Sequence, residues 1–167
     1  VQGVFFTGSY RTGRSIADIT FRRFVRLQLE LGGKDAVYVC EDMDVKKAAA
    51  MAAEGAFYNN GQSCCAIERL YVHKSIYEPF LEALVETVRG FVVGDPMNEE
   101  TFIGPVTRKE QLYILKQQVE DARLKGGRVL LGGNTMNRPG YYFEPTIVAD
   151  ATPDMTLMVE ETFGPVI

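Results

Sequence analysis

Tyr58-Asn59-Asn60-Gly61-Gln62-Ser63-Cys64-Cys65-Ala66 joins two different hydrophobic periods, and its reading decides the fold of this 167-residue chain. Before it, Ala48, Ala49, Ala52, Ala53 and Ala56 recur at helical spacing. Asp44 is placed to cap that segment, so the spacing predicts a helix over 44–58. Its small-residue face suits close packing on a sheet or a second helix. Asn59, Asn60 and Gly61 break the helix, and residues 69–73 then read as a strand. The two adjacent thiols therefore sit on a helix-to-strand turn that can face a cleft. A helical turn starting near Ser63 would aim its dipole and free N–H groups at them and favour thiolate. The simpler alternative for either cysteine is a small buried hydrophobe.

The same alternation extends both ways. Strands are expected at 4–7, 25–31, 36–40, 128–131 and 142–148, the last interrupted at Pro145. A turn is expected over 8–13 and a helix over 14–23. Two further helices are predicted where Ser75 with Glu78, and Thr107 with Glu110, have capping-box spacing. Gly126 and Gly127 end the second of these. Helices alternating with strands predict an α/β fold with a mostly parallel sheet and flanking helices. The chain opens in a strand and closes as an apolar run begins, so the expectation is a segment incomplete at both ends.

Composition excludes several classes. Apolar residues make up 46% and charged residues 24%, an ordinary globular balance. The net charge is −4 with scattered lysines and arginines, so nucleic acid and anionic membrane surfaces are not expected partners. No apolar run approaches a membrane span. Cys40, Cys64 and Cys65 are odd in number and two are adjacent, which argues against a disulfide framework and for a reducing, cytoplasmic setting. His73 is the single histidine, and its spacing from the cysteines suits no metal site, so no metal is expected.

Two further stretches carry chemistry. Phe5-Phe6-Thr7-Gly8-Ser9-Tyr10-Arg11-Thr12-Gly13-Arg14-Ser15 reads as strand, glycine turn and helix start. Arg14 stands where a P-loop needs lysine, so a nucleoside triphosphatase is disfavoured. Helix-terminal N–H groups still suit phosphate, and a dinucleotide pyrophosphate is the more natural guest; a purely structural turn is the alternative. Leu29-Glu30-Leu31-Gly32-Gly33-Lys34 puts a carboxylate in an apolar strand that stops at a glycine pair. Glu30 at a cleft mouth would serve as a general base; otherwise it is the polar-face member of a half-exposed strand. Lys34 would be its salt-bridge partner, or a surface lysine. A thiol and a carboxylate together can acylate a nucleophile and then hydrolyse the acyl-enzyme.

These stretches resemble the aldehyde dehydrogenase superfamily. Leu29 to Lys34 is similar to its glutamate signature, and Gly61-Gln62-Ser63-Cys64 to its cysteine signature. Phe6-Thr7-Gly8-Ser9 with Gly13 resembles its cofactor turn, and Glu160-Glu161-Thr162-Phe163-Gly164-Pro165 its late Glu-Glu-x-Phe-Gly-Pro motif. The four stand in the family's order across essentially the whole chain. The resemblance implies an aldehyde-dehydrogenase-like catalytic domain over 25–167, cut at its C-terminal end. Residues 1–24 would be the last strand-turn-helix of the dinucleotide-binding domain.

It also implies roles. Cys64 matches the nucleophile and Cys65 its neighbour, while Glu30 matches the general base for deacylation. Gly8, Ser9 and Gly13 match the turn beside the pyrophosphate. Glu161 matches the glutamate on the nicotinamide ribose, and Phe163 the aromatic packing near the nicotinamide. Tyr10-Arg11-Thr12 and Ile67-Glu68-Arg69 depart from the family's usual runs, leaving cofactor detail and substrate class open. The implied activity is oxidation of an aldehyde to a carboxylic acid with NAD or NADP, through a cysteine thiohemiacetal and thioester. The full-length protein would be a homo-oligomer, dimer or tetramer, and the isolated segment would have little or no activity. Two alternatives are a CoA-acylating aldehyde dehydrogenase and a non-catalytic interaction or structural fragment. A cysteine hydrolase would have to rely on His73.

Overall fold

The computed structural model describes all 167 residues, which form two compact units, Val1–Gly33 and Lys34–Ile167. In the first, β1 (Gly3–Thr7) leads through Gly8 and Ser9 into α1 (Tyr10–Phe21), and β2 (Arg26–Glu30) returns parallel to β1 with Glu30 opposite Thr7. The helix starts four residues before the expected Arg14. Ser9 is its N-cap, the Oγ accepting the Thr12 N–H at 3.3 Å, so the local capping bond overrides the turn reading of residues 10–13. Gly13 lies inside the helix rather than in the turn. A Cβ there would stand 2.6 Å from the Leu31 side chain, so glycine lets α1 settle against the chain leaving β2. After α1, the Phe24 backbone has a positive φ of 54° and the Val25 N–H returns to the Thr20 carbonyl, turning the chain into β2.

The second unit begins with β3 (Asp35–Val39), α2 (Val45–Phe57) and β4 (Ile67–Val72), with β4 parallel to β3. The Asp44 carboxylate accepts the Lys47 N–H at 2.8 Å, the cap read from sequence. Five alanines of α2 are buried, and this thin face packs on α3 (Tyr77–Arg89). Next come α4 (Lys109–Leu124), β5 (Arg128–Leu131), β6 (Ile147–Ala149) antiparallel to β5, and the single-turn α5 (Thr156–Val159). The final residues run parallel to β6 through a bridge between Thr146 and Val166. One apolar cluster joins the α2 alanines to Phe57, Phe80, Leu84 and Ile103. A second joins Leu115 and Val119 of α4 to Phe143, Met155 and Val166. Two of the three strand pairs are parallel, and the architecture is α/β as expected.

Three local expectations fail for identifiable reasons. Neither capping box forms. The His73 Nδ1 hydrogen-bonds the Ser75 hydroxyl at 2.8 Å and accepts the Ser75 N–H, so residues 74–76 make a short 3₁₀ turn and α3 starts uncapped at Tyr77. The Thr107 N–H goes to Gln62 Oε1 at 3.0 Å, and α4 begins two residues later without a side-chain cap. The strand expected over 142–148 shrinks to β6 and one bridge from Phe143 to Thr135, because Pro145 offers no N–H to continue a ladder. No helix is long and apolar enough to cross a membrane.

Candidate active site

The turn carrying the thiols is built by three consecutive left-handed residues. Asn59, Asn60 and Gly61 have φ of 50°, 58° and 68°, a region asparagine tolerates and glycine occupies freely. Each flanking side chain then locks the turn. The Asn59 Nδ2 donates to the Gln62 carbonyl at 3.0 Å. The Asn60 Nδ2 donates to the Pro105 carbonyl and its Oδ1 accepts the Gly104 N–H, both at 2.9 Å. Gln62 holds Thr107 as above. The segment 104–107 is thereby stitched to the turn 44 to 45 residues upstream of it, and Cys64 and Cys65 stand exposed beyond.

Gly61 fixes a second neighbour. A Cβ on it would lie 2.2 Å from the Gly164 backbone carbonyl, so the turn and the Phe163-Gly164-Pro165 segment touch backbone to backbone. We expect Gly61→Ala to lower stability by about 3 kcal/mol in urea unfolding, since left-handed backbone strain adds to a clash no rotamer relieves. Gly126, with φ of 93° but nothing within 4 Å, is the control. Gly126→Ala should cost only about 1 kcal/mol, the backbone part alone. Equal losses at the two positions would show that the Gly164 contact carries no energy.

The thiols differ. The Tyr58 hydroxyl donates to Ser63 Oγ at 2.5 Å, and Ser63 Oγ and Tyr58 Oη each lie 3.3 Å from the Cys65 sulfur. Hydrogen bonds from Ser63, then from Tyr58, hold the Cys65 thiol below its ordinary pKa, and the contact with Cys65 pushes the Tyr58 phenol up. The helical turn imagined at Ser63 does not form. The Ala66 N–H closes a single turn on the Ser63 carbonyl at 3.1 Å, and β4 begins at once, so no helix dipole acts on either sulfur.

Glu30, Gly8, Ser9 and Gly13 belong to the first unit. Glu30 ends β2 on its exposed face, beside Gln28, whose Nε2 donates to Glu30 Oε1 at 3.2 Å. It is therefore the outward member of an alternating strand and not a buried carboxylate. Its carbonyl accepts the Gly8 N–H at 3.0 Å, tying the end of β2 to the glycine turn. In the first turn of α1, Thr12 and Gly13 direct their N–H groups to Ser9, leaving those of Tyr10 and Arg11 to offer, with no acidic residue nearby in that turn. This arrangement fits the phosphates of a dinucleotide.

Lys34 is neither a partner of Glu30 nor a surface lysine. It is buried against Glu68 at 2.6 Å, the two side chains 11% and 5% exposed, and it also donates to Thr162 Oγ1 at 2.8 Å. Burial lowers its pKa from the ordinary lysine value, against the opposing pull of Glu68. The Arg69 guanidinium caps the Lys34 carbonyl at 2.6 and 3.1 Å. Glu68 accepts the backbone N–H of Thr162 at 2.9 Å and of Phe163 at 3.0 Å. Sequence reasoning noticed Glu68 only as a departure from a usual run. The available signal was a charged pair, Glu68-Arg69, at the start of a strand otherwise apolar. The structure thus fastens the Thr162-to-Gly164 segment to β4 through Glu68 and to the turn through Gly61, the turn on which Cys64 stands exposed.

Comparison with known proteins agrees with this arrangement. A model of the aldehyde dehydrogenase family matches residues 1–167. The chain is 41% identical over 166 residues to a succinate-semialdehyde dehydrogenase [NADP(+)] of Deinococcus radiodurans, covering 99% of this chain and 35% of that protein. It is 37% identical to an alpha-ketoglutaric semialdehyde dehydrogenase of Bacillus subtilis, covering 100% and 35%. Among solved structures, an NAD-dependent aldehyde dehydrogenase from Sinorhizobium meliloti superposes with a TM-score of 0.96 at 39% identity, covering 100% of this chain and 33% of that one. The chain spans about a third of the length of these relatives. With its thiol turn, its glycine turn and its Glu-Glu-Thr-Phe-Gly-Pro segment all in place, the chain belongs to the aldehyde dehydrogenase family.

Proposed function

We propose that this chain supplies the catalytic centre of an enzyme that oxidises an aldehyde to a carboxylic acid with NAD or NADP, consuming one water and releasing one proton per turnover. The observation that carries this reading is Cys64, exposed on a turn locked at once to Gly104–Thr107 and to Gly164. A nucleophile on such a turn is held rigidly while remaining open to a substrate. In this reading residues 25–167 form the catalytic domain, and 1–24 the last strand-turn-helix of the cofactor domain of a longer polypeptide. Cytoplasmic location and assembly as a dimer or tetramer belong to the same reading.

Cys64 thiolate attacks the carbonyl carbon and forms a thiohemiacetal whose oxyanion takes a hydrogen bond from the Cys64 N–H. The dinucleotide, when bound, would supply the hydride acceptor. Cys64 is then left as a thioester, and Glu30 takes a proton from the water that hydrolyses it. Gly8, Ser9 and the N–H groups opening α1 would hold the pyrophosphate, with Gly13 allowing the helix to pack close. Glu161 and Phe163 would orient the nicotinamide end. Glu30 favours water over CoA as acyl acceptor, because a thiol acceptor needs no such base. The two relatives named for semialdehydes make succinate semialdehyde the first substrate to test.

In the test, the complete polypeptide is mixed with NAD⁺ or NADP⁺ and a panel of aldehydes, and absorbance of the reduced cofactor is followed. Aldehyde-dependent reduction is expected from the complete polypeptide, and little or none from the 167-residue chain alone. Absence of reduction by the complete polypeptide with every aldehyde would overturn the reading. Full turnover by the isolated chain would overturn the reading of residues 1–24 as only the end of a cofactor domain in a longer polypeptide.

A further inference from the structure

The carbonyls of residues 160–162 and the N–H groups of residues 162 and 163 are held by side chains rather than by secondary structure. Gln111 Nε2 donates to the Thr162 carbonyl at 2.6 Å, and Gln118 reaches the Glu160 and Glu161 carbonyls at 3.5 and 3.3 Å. On the N–H side, Glu160 closes α5 on the Thr156 carbonyl at 2.8 Å, and Glu68 takes Thr162 and Phe163 together at 2.9 to 3.1 Å. The segment is conformationally unfavourable by itself: Phe163 has a φ of 47°, a region that an aromatic residue rarely adopts. Such a conformation persists only where its surroundings over-determine it. A carboxylate accepting two consecutive N–H groups does this directly, since both amides must turn toward one point.

The charge of Glu68 matters as much as its shape. Hydrogen bonds to an ionised acceptor are about twice as strong as neutral ones, and a carboxylate this buried needs a counter-charge. Lys34 supplies it and adds a third bond to the same loop through Thr162 Oγ1. Three buried polar side chains from outside the segment, Glu68, Gln111 and Gln118, are thereby committed to four residues of chain. That commitment exceeds what a surface crossing between α5 and the last residues requires.

We propose that Glu68, with Lys34 as its counter-ion, is a positioning residue for the cofactor: it holds Glu161-Thr162-Phe163 in the one backbone form that presents the side chains of residues 161 and 163 to the nicotinamide half. This rests on the reading that Glu161 and Phe163 touch NAD(P). Glu68 itself touches neither cofactor nor substrate.

Glu68→Gln in the complete polypeptide tests it. The substitution keeps the shape, removes the charge and leaves Lys34 without its partner. Two readouts are taken. Amide hydrogen exchange at residues 162 and 163 should accelerate about tenfold or more, while amides in the middle of α4 keep their rates. Affinity for NADPH or NADH, read by nucleotide fluorescence, should fall about tenfold, while the KM for aldehyde stays within about twofold. Unchanged exchange would show that Glu68 does not hold the loop. Faster exchange with unchanged nucleotide affinity would leave it a purely structural clamp; both results overturn the proposal. Should the single variant fail to fold, Glu68→Gln combined with Lys34→Met buries no lone charge and is read the same way. A wild type that binds nucleotide but oxidises no aldehyde would sink the functional reading and leave this test standing. A wild type that binds no nucleotide would sink both.

Discussion

Cys64→Ala in the complete polypeptide is expected to lower kcat for aldehyde oxidation by at least about 10,000-fold, whereas Cys65→Ala should stay within about threefold. The two positions are adjacent, both exposed and chemically identical, so the contrast is demanding. Electrostatics alone would pick the other sulfur, because Ser63 and Tyr58 hydrogen-bond Cys65 and hold its thiol below the ordinary value. Those same bonds argue against it as nucleophile. Ser63, which accepts the Tyr58 hydroxyl hydrogen, is left to donate to this sulfur, and nucleophilicity falls as the thiol pKa falls. Cys64 has no such donors, and its turn is fixed from both sides by Gln62 and Gly61. A general thiol reagent would mark both residues, so activity and not alkylation is the measurement to make. Retained activity in Cys64→Ala with loss in Cys65→Ala would transfer the chemistry to Cys65 and detach the chain from its motif.

Much of the fold was legible because its decisive signals are local. The alanine spacing of 48–56 and the Asp44 cap gave α2, and Asn-Asn-Gly gave the reversal that follows it. The two capping boxes misled for a reason that spacing cannot reveal. Thr107 is drawn to Gln62, 45 residues away, and Ser75 to His73 behind it. A capping bond is worth about 1 kcal/mol, so one competing hydrogen bond suffices to displace it. Gly13 reads as part of a turn in the sequence, whereas in the structure it lies inside α1, where a glycine is normally unfavourable and the approach of Leu31 explains it. The candidate site divides in the same way. Cys64, Glu161 and Phe163 announce themselves through neighbours in sequence. Glu68 and Lys34 do not, since their partners lie 94 and 128 residues distant at Thr162, and burial of an ion pair leaves no mark on a linear pattern.

Glu30→Gln should convert the enzyme from a catalyst into a reagent. Mixing the complete variant with aldehyde and NAD(P)⁺ is expected to give a burst of about one reduced cofactor per site, followed by turnover slowed about 100- to 10,000-fold, the usual range for loss of a general base. The burst follows from the order of bond changes. Attack by Cys64 and departure of hydride require a thiolate and an acceptor, but no base at position 30. Hydrolysis of the thioester requires a proton to leave water, and a neutral amide cannot take it. The acyl group should then be found on Cys64 by mass spectrometry of the quenched protein. An added thiol should restore turnover, since a thiolate attacks the thioester unaided; that rescue also separates the role of Glu30 from any effect on folding. The exposed place of Glu30 at the end of β2, beside Gln28, makes the alternative concrete: a solvated carboxylate on a polar strand face. If steady-state turnover is unchanged in Glu30→Gln, that alternative stands. If the burst itself disappears, Glu30 acts before hydride transfer, on the thiol and not on water.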